Sequence, residues 1–130
     1  MEPHPVIVAG FGFRAGASAD ALRDAYDRAC HAAAVKQADL LATPADKAAQ
    51  PAFGTMAKGL SLPVVPISDV ALQTQTTQTR SAAAQAARAT GSVAEAAALA
   101  ALGRGARLLA PRAISSDRTA TCAIATGPKT

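Results

Sequence analysis

Val6-Ile7-Val8-Ala9 is a short apolar run that breaks into Gly10-Phe11-Gly12-Phe13-Arg14-Ala15-Gly16-Ala17 before Ser18. A run of this length bounded by turn residues predicts a buried strand followed by a tight turn. Ser18 then predicts the N-cap of a helix from about Ala19 to Ala34, with Asp20 in its first turn opposing the positive end of the dipole. Leu22, Ala25, Tyr26 and Ala29 recur at helical spacing and form its apolar stripe. Asp39-Leu40-Leu41-Ala42 reads as a second strand stopped by Thr43-Pro44, which completes a βαβ unit. A second helix is expected from about Lys47 or Pro51 to Lys58, with Gly59 ending it. Leu62-Pro63-Val64-Val65-Pro66 follows as a third strand, and its prolines place it at a sheet edge.

The second half is less regular. Ser68-Asp69 starts a short helical turn, Thr74–Thr79 is hydroxyl-rich and unpatterned, and Ser81–Ala89 fits a helix. Gly91-Ser92-Val93-Ala94-Glu95 contains a Ser-x-x-Glu capping box that opens a helix through Leu102. Arg107–Ala110 and Thr119–Ala125 are two further strands, an antiparallel pair joined through Ser115-Ser116-Asp117. Alternating strands and helices ending in such a pair predict a three-layer α/β/α single domain over residues 1–130, with a mixed, mainly parallel sheet of about five strands. In such a sheet the polar segments 10–18, 43–47, 66–69 and 91–95 gather at the carboxyl edge of the parallel strands, where ligands bind.

Composition narrows the ligand. The 130 residues are half apolar but only 3% aromatic, so the core must be built from Ala, Val, Leu and Ile, with helices packed close to the sheet. A net charge of +4 permits nucleic-acid binding, but the basic residues are scattered and no basic stripe interleaved with aromatics occurs. A small polyanion fits better than DNA or RNA. Cys30 and Cys122 lack metal-ligand spacing, and neither a secretory signal nor a long apolar span is present. The expectation is a reduced, cytoplasmic protein without metal, cofactor or membrane contact.

The candidate chemistry lies in the first turn. Three glycines and a Ser N-cap bring bare N–H groups of Gly10, Gly12, Gly16 and the Ser18 helix end to one anion-receiving place, and Arg14 adds a guanidinium. The bland alternative is a tight turn that holds no ligand. A dinucleotide reading of Gly10-x-Gly12-x-x-Ala15 fails because no acid closes the second strand: Leu40-Leu41-Ala42 runs into Thr43. A Walker loop is absent, since no Lys-Ser/Thr follows the glycines. Thr43 and Lys47 are either plain loop residues or ligand contacts. Phe11 and Phe13 either face a ligand or pack beneath the loop. Ser92 and Glu95 are most simply a helix cap, His31 a surface residue late in the first helix, and no nucleophile–base triad is defensible.

With those residues in hand, the chain resembles the CobE family of cobalamin biosynthesis and the C-terminal domain of CbiG, the cobalt-precorrin 5A hydrolase. The resemblance runs through Gly10–Ser18, Leu41-Ala42-Thr43 with Lys47, Gly91–Leu99, and the closing stretch from Leu108–Arg112 to Thr121–Ala125. It implies a cytoplasmic protein of the corrin-ring pathway, partnered by a corrinoid or precorrin intermediate and by other enzymes of that pathway. The chain's length is similar to the standalone CobE form, and the additional N-terminal region of CbiG is missing, so the lactone-opening activity does not carry over intact. A corrin intermediate is a wide apolar macrocycle ringed by carboxylates. Gly12, Gly16, Arg14, Lys47 and the Ser18 and Ser92 helix ends suit the carboxylates, and Phe11 and Phe13 suit the ring; Gly10, Thr43 and Glu95 complete the candidate set. Three functions stay open: a binding or processing factor, a ring-lactone hydrolase assisted by Lys47 or Glu95, or a purely structural partner of another pathway enzyme.

Overall fold

The first strand, β1 (Val6–Phe13), has two faces because its residues alternate. Ile7, Ala9, Phe11 and Phe13 point into one apolar layer, whereas Val6 and Val8 point into a second, and Gly10 and Gly12 meet the helix lying on that side. The computed structural model describes residues 5–73, 93–103 and 105–127. After β1 come α1 (Ala19–Ala33), β2 (Leu40–Pro44), α2 (Ala45–Ala48), α3 (Pro51–Leu60), β3 (Val64–Ile67) and α4 (Asp69–Gln73). The described residues resume with α5 (Val93–Leu102), then β4 (Arg107–Leu108), β5 (Ala113–Ile114) and β6 (Ala120–Gly127).

The sheet order is β3-β2-β1-β6-β4, with β5 also paired to β6. β1–β2 and β2–β3 are parallel, and β6 is antiparallel to β1, β4 and β5. Five of the six strands among the described residues therefore share one direction and β6 opposes them, which makes the sheet mixed and mainly parallel as expected. Helices α1 and α3 cover one face, burying Phe11, Leu22, Tyr26, Leu41, Phe53 and Ile124. Helices α4 and α5 cover the other with Val8, Ala42, Leu72, Ala97, Leu99 and Ala125. This is the three-layer α/β/α architecture. β3 lies at an edge, and the stripe Leu22, Ala25, Tyr26 and Ala29 is buried.

The glycine run departs from expectation. Gly10, Phe11, Gly12 and Phe13 do not form a turn but continue β1, because β6 pairs with every residue from Val6↔Gly127 to Phe13↔Ala120. The glycines are there for α5. A Cβ on Gly10 would collide with the Ala94 carbonyl oxygen and come within 2.5 Å of Ala98 N, so the Ala-rich helix lies against bare strand backbone. The turn itself is confined to Arg14–Ser18, where only Gly16 has positive φ, at 93°.

Other boundaries also move. β2 extends through Thr43 and Pro44 because β3 pairs there, Thr43↔Pro66 and Pro44↔Ile67. Gly59 lies inside α3, which closes at left-handed Ser61 by Ser61 N donating to Lys58 O and Leu62 N to Ala57 O. Lys47 and Pro51 belong to two helices, Lys47 lying within α2 and Pro51 opening α3. β5 was not expected. The helix expected over 81–89, the run 74–79, and Gly91 with Ser92 lie outside the described residues.

Candidate functional site

The carboxyl ends of β1, β2 and β3 fall at Phe13, Pro44 and Ile67, and parallel pairing puts them on one edge. Segments 14–18, 45–47 and 68–69 leave from that edge, as the sequence pattern required. The start of α5 joins it: a Cβ on Gly12 would touch Val93 Cβ at 3.3 Å and Thr121 Oγ1 at 3.1 Å.

Phe13 and Lys47 come together there. The Lys47 ammonium lies 5.2 Å from the centroid of the Phe13 ring, a cation–π distance, and Phe13 stacks on Phe53 with 5.8 Å between centroids and 3° between planes. The strand end thus seats a cation contributed by α2, the short helix directly after β2. Both residues are half-buried. Arg14, the next residue, is exposed and held by its backbone, its N–H donating to Thr119 O at 2.9 Å while Arg14 O accepts from Ala17 N at 3.0 Å. Gly16 opens to space, with nothing within 4 Å of a Cβ position.

Phe11, Gly10, Ser18 and Thr43 are committed to the fold. Phe11 is fully buried, edge-on to Phe53 and stacked with Tyr26, so it packs beneath the edge and faces no ligand. Gly10 is covered by α5. Ser18 Oγ accepts from Ala21 N, the N-cap expected for α1. Thr43 Oγ1 donates to Phe11 O at 3.1 Å from a fully buried position, which extends the β1–β2 contact where a ligand contact had been one reading. Ser92 is outside the described residues. His31 is exposed in the last turn of α1.

A family model described as cobalamin synthesis G C-terminus matches residues 7–125. The chain belongs to that family. CobE, a protein from the cobalamin (vitamin B12) biosynthetic pathway, has a similar crystal structure: TM-score 0.80, 31% identity, 97% of this chain and 93% of that chain covered. The cobalamin biosynthesis protein chiG from Agrobacterium tumefaciens str. C58 is also similar: TM-score 0.70, 40% identity, 92% and 97% covered. None of the curated proteins matches the chain.

In this member of the cobalamin synthesis G C-terminus family, a second polar locus lies in the first turn of α5. Glu95, in the first turn of α5, is fully buried, and its Oε2 accepts from Arg112 N at 3.1 Å. Arg112 Nε is itself buried without a hydrogen-bond partner among the described residues. Glu95 therefore ties α5 to the segment between β4 and β5. The sequence suggested that Glu95 caps with Ser92, which lies outside the described residues; its bond with Arg112, 17 residues away, leaves no local signal. Burial pushes the Tyr26 hydroxyl up to about 12 and the Cys30 and Cys122 thiols above their ordinary range, so neither thiol is an activated nucleophile. Among the described residues no cluster of His, Cys, Asp and Glu is placed to hold a metal, and no helix is long and apolar enough to cross a membrane.

Proposed function

We propose that this chain binds a corrin-ring intermediate of cobalamin synthesis at the carboxyl edge of β1 and β2 and acts as a carrier or accessory factor between enzymes of the pathway. The observation that carries the reading is the Lys47 ammonium seated over Phe13 with the exposed Arg14 guanidinium next in the chain. Two cations of different geometry beside a partly exposed aromatic residue suit a broad apolar ring bearing peripheral carboxylates. Lys47 supplies a point charge, Arg14 a planar fork that grips a carboxylate through two N–H groups. The open backbone at Gly16 leaves room for a bulky substituent. Family membership agrees with this chemistry, since the family is one of cobalamin synthesis. The chain works in the cytoplasm.

The competing activity, hydrolysis of a ring lactone, needs a general base within reach of water. Glu95 does not suit that role, being fully buried and bonded to Arg112 N. Mixing the purified protein with corrinoids bearing free carboxylates and with amidated counterparts, then following pigment through gel filtration and mass spectrometry, separates the possibilities. Co-elution at unchanged pigment mass, weaker for the amides, is expected of a carrier. Equal retention of acids and amides refutes the carboxylate clamp, a mass change indicates hydrolysis, and no co-elution refutes binding.

A further inference from the structure

The turn before β6 holds an arginine in a backbone conformation that arginine disfavours. Arg118 has φ of 63°, and its N–H donates to Ser115 O at 2.9 Å, closing a four-residue turn in the β5–β6 hairpin. The left-handed position after such a turn is ordinarily taken by Gly or Asn, because a Cβ there crowds the following carbonyl. Hydrogen bonds around it leave the loop little freedom. Asp117 accepts from Ser115 Oγ at 2.7 Å and from Thr119 N and Oγ1 at 3.0 and 2.8 Å. Ser115 Oγ accepts from Ala120 N, and Asp24 of α1 accepts from Ser116 N at 2.8 Å. Arg118 donates no side-chain bond to this network, and its side chain is exposed. The fold would be served as well by glycine at this position.

The sheet decides where this arginine stands. Phe13↔Ala120 pairing brings the hairpin to the same edge as Arg14, and the bond from Arg14 N to Thr119 O joins the two segments directly. The strand order β2-β1-β6 therefore sets Lys47, Arg14 and Arg118 on three successive strand ends. At roughly 5 Å per strand the row spans about 10 Å, the scale of a tetrapyrrole-type ring. The two carboxylates of the hairpin and its α1 contact are occupied: Asp117 is held within its loop, and Asp24 bonds Ser116 N and Arg28.

Resting on the binding function proposed above, we infer that Arg118 is a further ligand-binding residue, the third cation of a row that reads several carboxylates of one macrocycle at once. Three spaced cations favour a ligand with several free carboxylates over one with a single acid group, and each further neutralised carboxylate adds to the discrimination. The sequence pattern could not flag Arg118, since it follows no glycine motif and lies 104 residues from Arg14 in the chain.

The test is Arg118→Gly, which removes the guanidinium while easing the left-handed backbone. Binding of cobyrinic acid, a corrinoid with free carboxylates, and of cobinamide, its amidated counterpart, is measured by equilibrium dialysis of the coloured ligand. For Arg118→Gly we expect the affinity for cobyrinic acid to fall about tenfold and that for cobinamide to be unchanged. The melting temperature should be unchanged or slightly raised, since strain relief and added unfolded-state entropy nearly offset. Arg118→Lys should recover part of the loss. Wild-type protein that binds cobyrinic acid together with a variant that binds it equally well overturns the role of Arg118 alone. Wild-type protein that binds neither corrinoid overturns both this inference and the function on which it rests.

Discussion

Gly10→Ala tests whether the paired glycines serve packing or a ligand. The added methyl carbon would collide with the Ala94 carbonyl oxygen, lie 2.5 Å from Ala98 N and lie 2.8 Å from Ala98 Cβ. Two of these three atoms are helix backbone, which cannot rotate aside. Ordinary contact begins near 3.4 Å, so α5 must retreat by 3.4 minus 2.5, about 0.9 Å at Ala98 and further at Ala94. That movement loosens its contact with Val8, Ala42 and Ala125 along the same face. Overpacking of this kind costs about 1–3 kcal/mol, and an unyielding backbone neighbour places the change at the upper end, about 3 kcal/mol. Gly54→Ala is the matched control, because Gly54 lies within α3 with nothing inside 4 Å of a Cβ; it should stabilise by roughly 0.5–1 kcal/mol. Urea denaturation of both variants at equal protein concentration gives the two differences. A Gly10→Ala protein within about 0.5 kcal/mol of wild type, but with corrinoid binding abolished, would refute the packing argument and restore the ligand reading of this glycine.

Arg14→Ala should weaken binding of a free-acid corrinoid by about 1–3 kcal/mol in calorimetric titration, while the melting temperature barely moves, because the bond to Thr119 O comes from the backbone and survives. A large loss of stability with unchanged binding would show a structural arginine. Tyr26 is the single tyrosine of the chain, so its phenolate absorbance is unambiguous; burial raises its pKa to about 12, against an ordinary value of 10.0, and its hydroxyl accepts from Ala38 N. The folded state thus holds the proton more tightly than the unfolded one, and stability present below pH 10 should be lost as pH rises toward 12; titration of the folded protein near pH 10 would contradict this. Asp117 has the opposite sign: hydrogen bonds from Ser115 and Thr119 lower its pKa below 3.8, so its contribution is complete above that pH and lost as pH falls through the folded value. Asp117→Asn should flatten the acid limb of the stability curve, and an unaltered limb would show that the loop is held by other bonds.

Local pattern carried much of this architecture, for identifiable reasons. Ser18, the Leu22–Ala29 stripe and the prolines around β3 act within one turn or one strand, and the cap, the buried face and the edge position followed from them. Cross-sheet partnership decided what those signals could not. Gly-Phe-Gly-Phe has the composition of a turn, and only the unbroken register with β6 and the approach of α5 make it a strand with one bare face and one aromatic face. Similarly, β2 runs through Thr43-Pro44 because β3 pairs with it there, against the stop that proline signals locally.

The candidate site divides in the same way. That the segments carrying Arg14 and Lys47 leave from one edge was legible, since strand polarity alone sends the segments after parallel strands to one end. The family resemblance was legible too, through residues spread from Gly10 to Ala125, and the family match over 7–125 agrees with it. Phe11, Gly10 and Thr43 were chosen by their place in a motif, yet packing turned all three inward. Arg118 and the Glu95–Arg112 bond emerged only from the fold, because contacts between residues far apart in the chain depend on which strands become neighbours. Spacing along the sequence determines which face of an element a residue occupies; the order of strands in the sheet determines what that face meets.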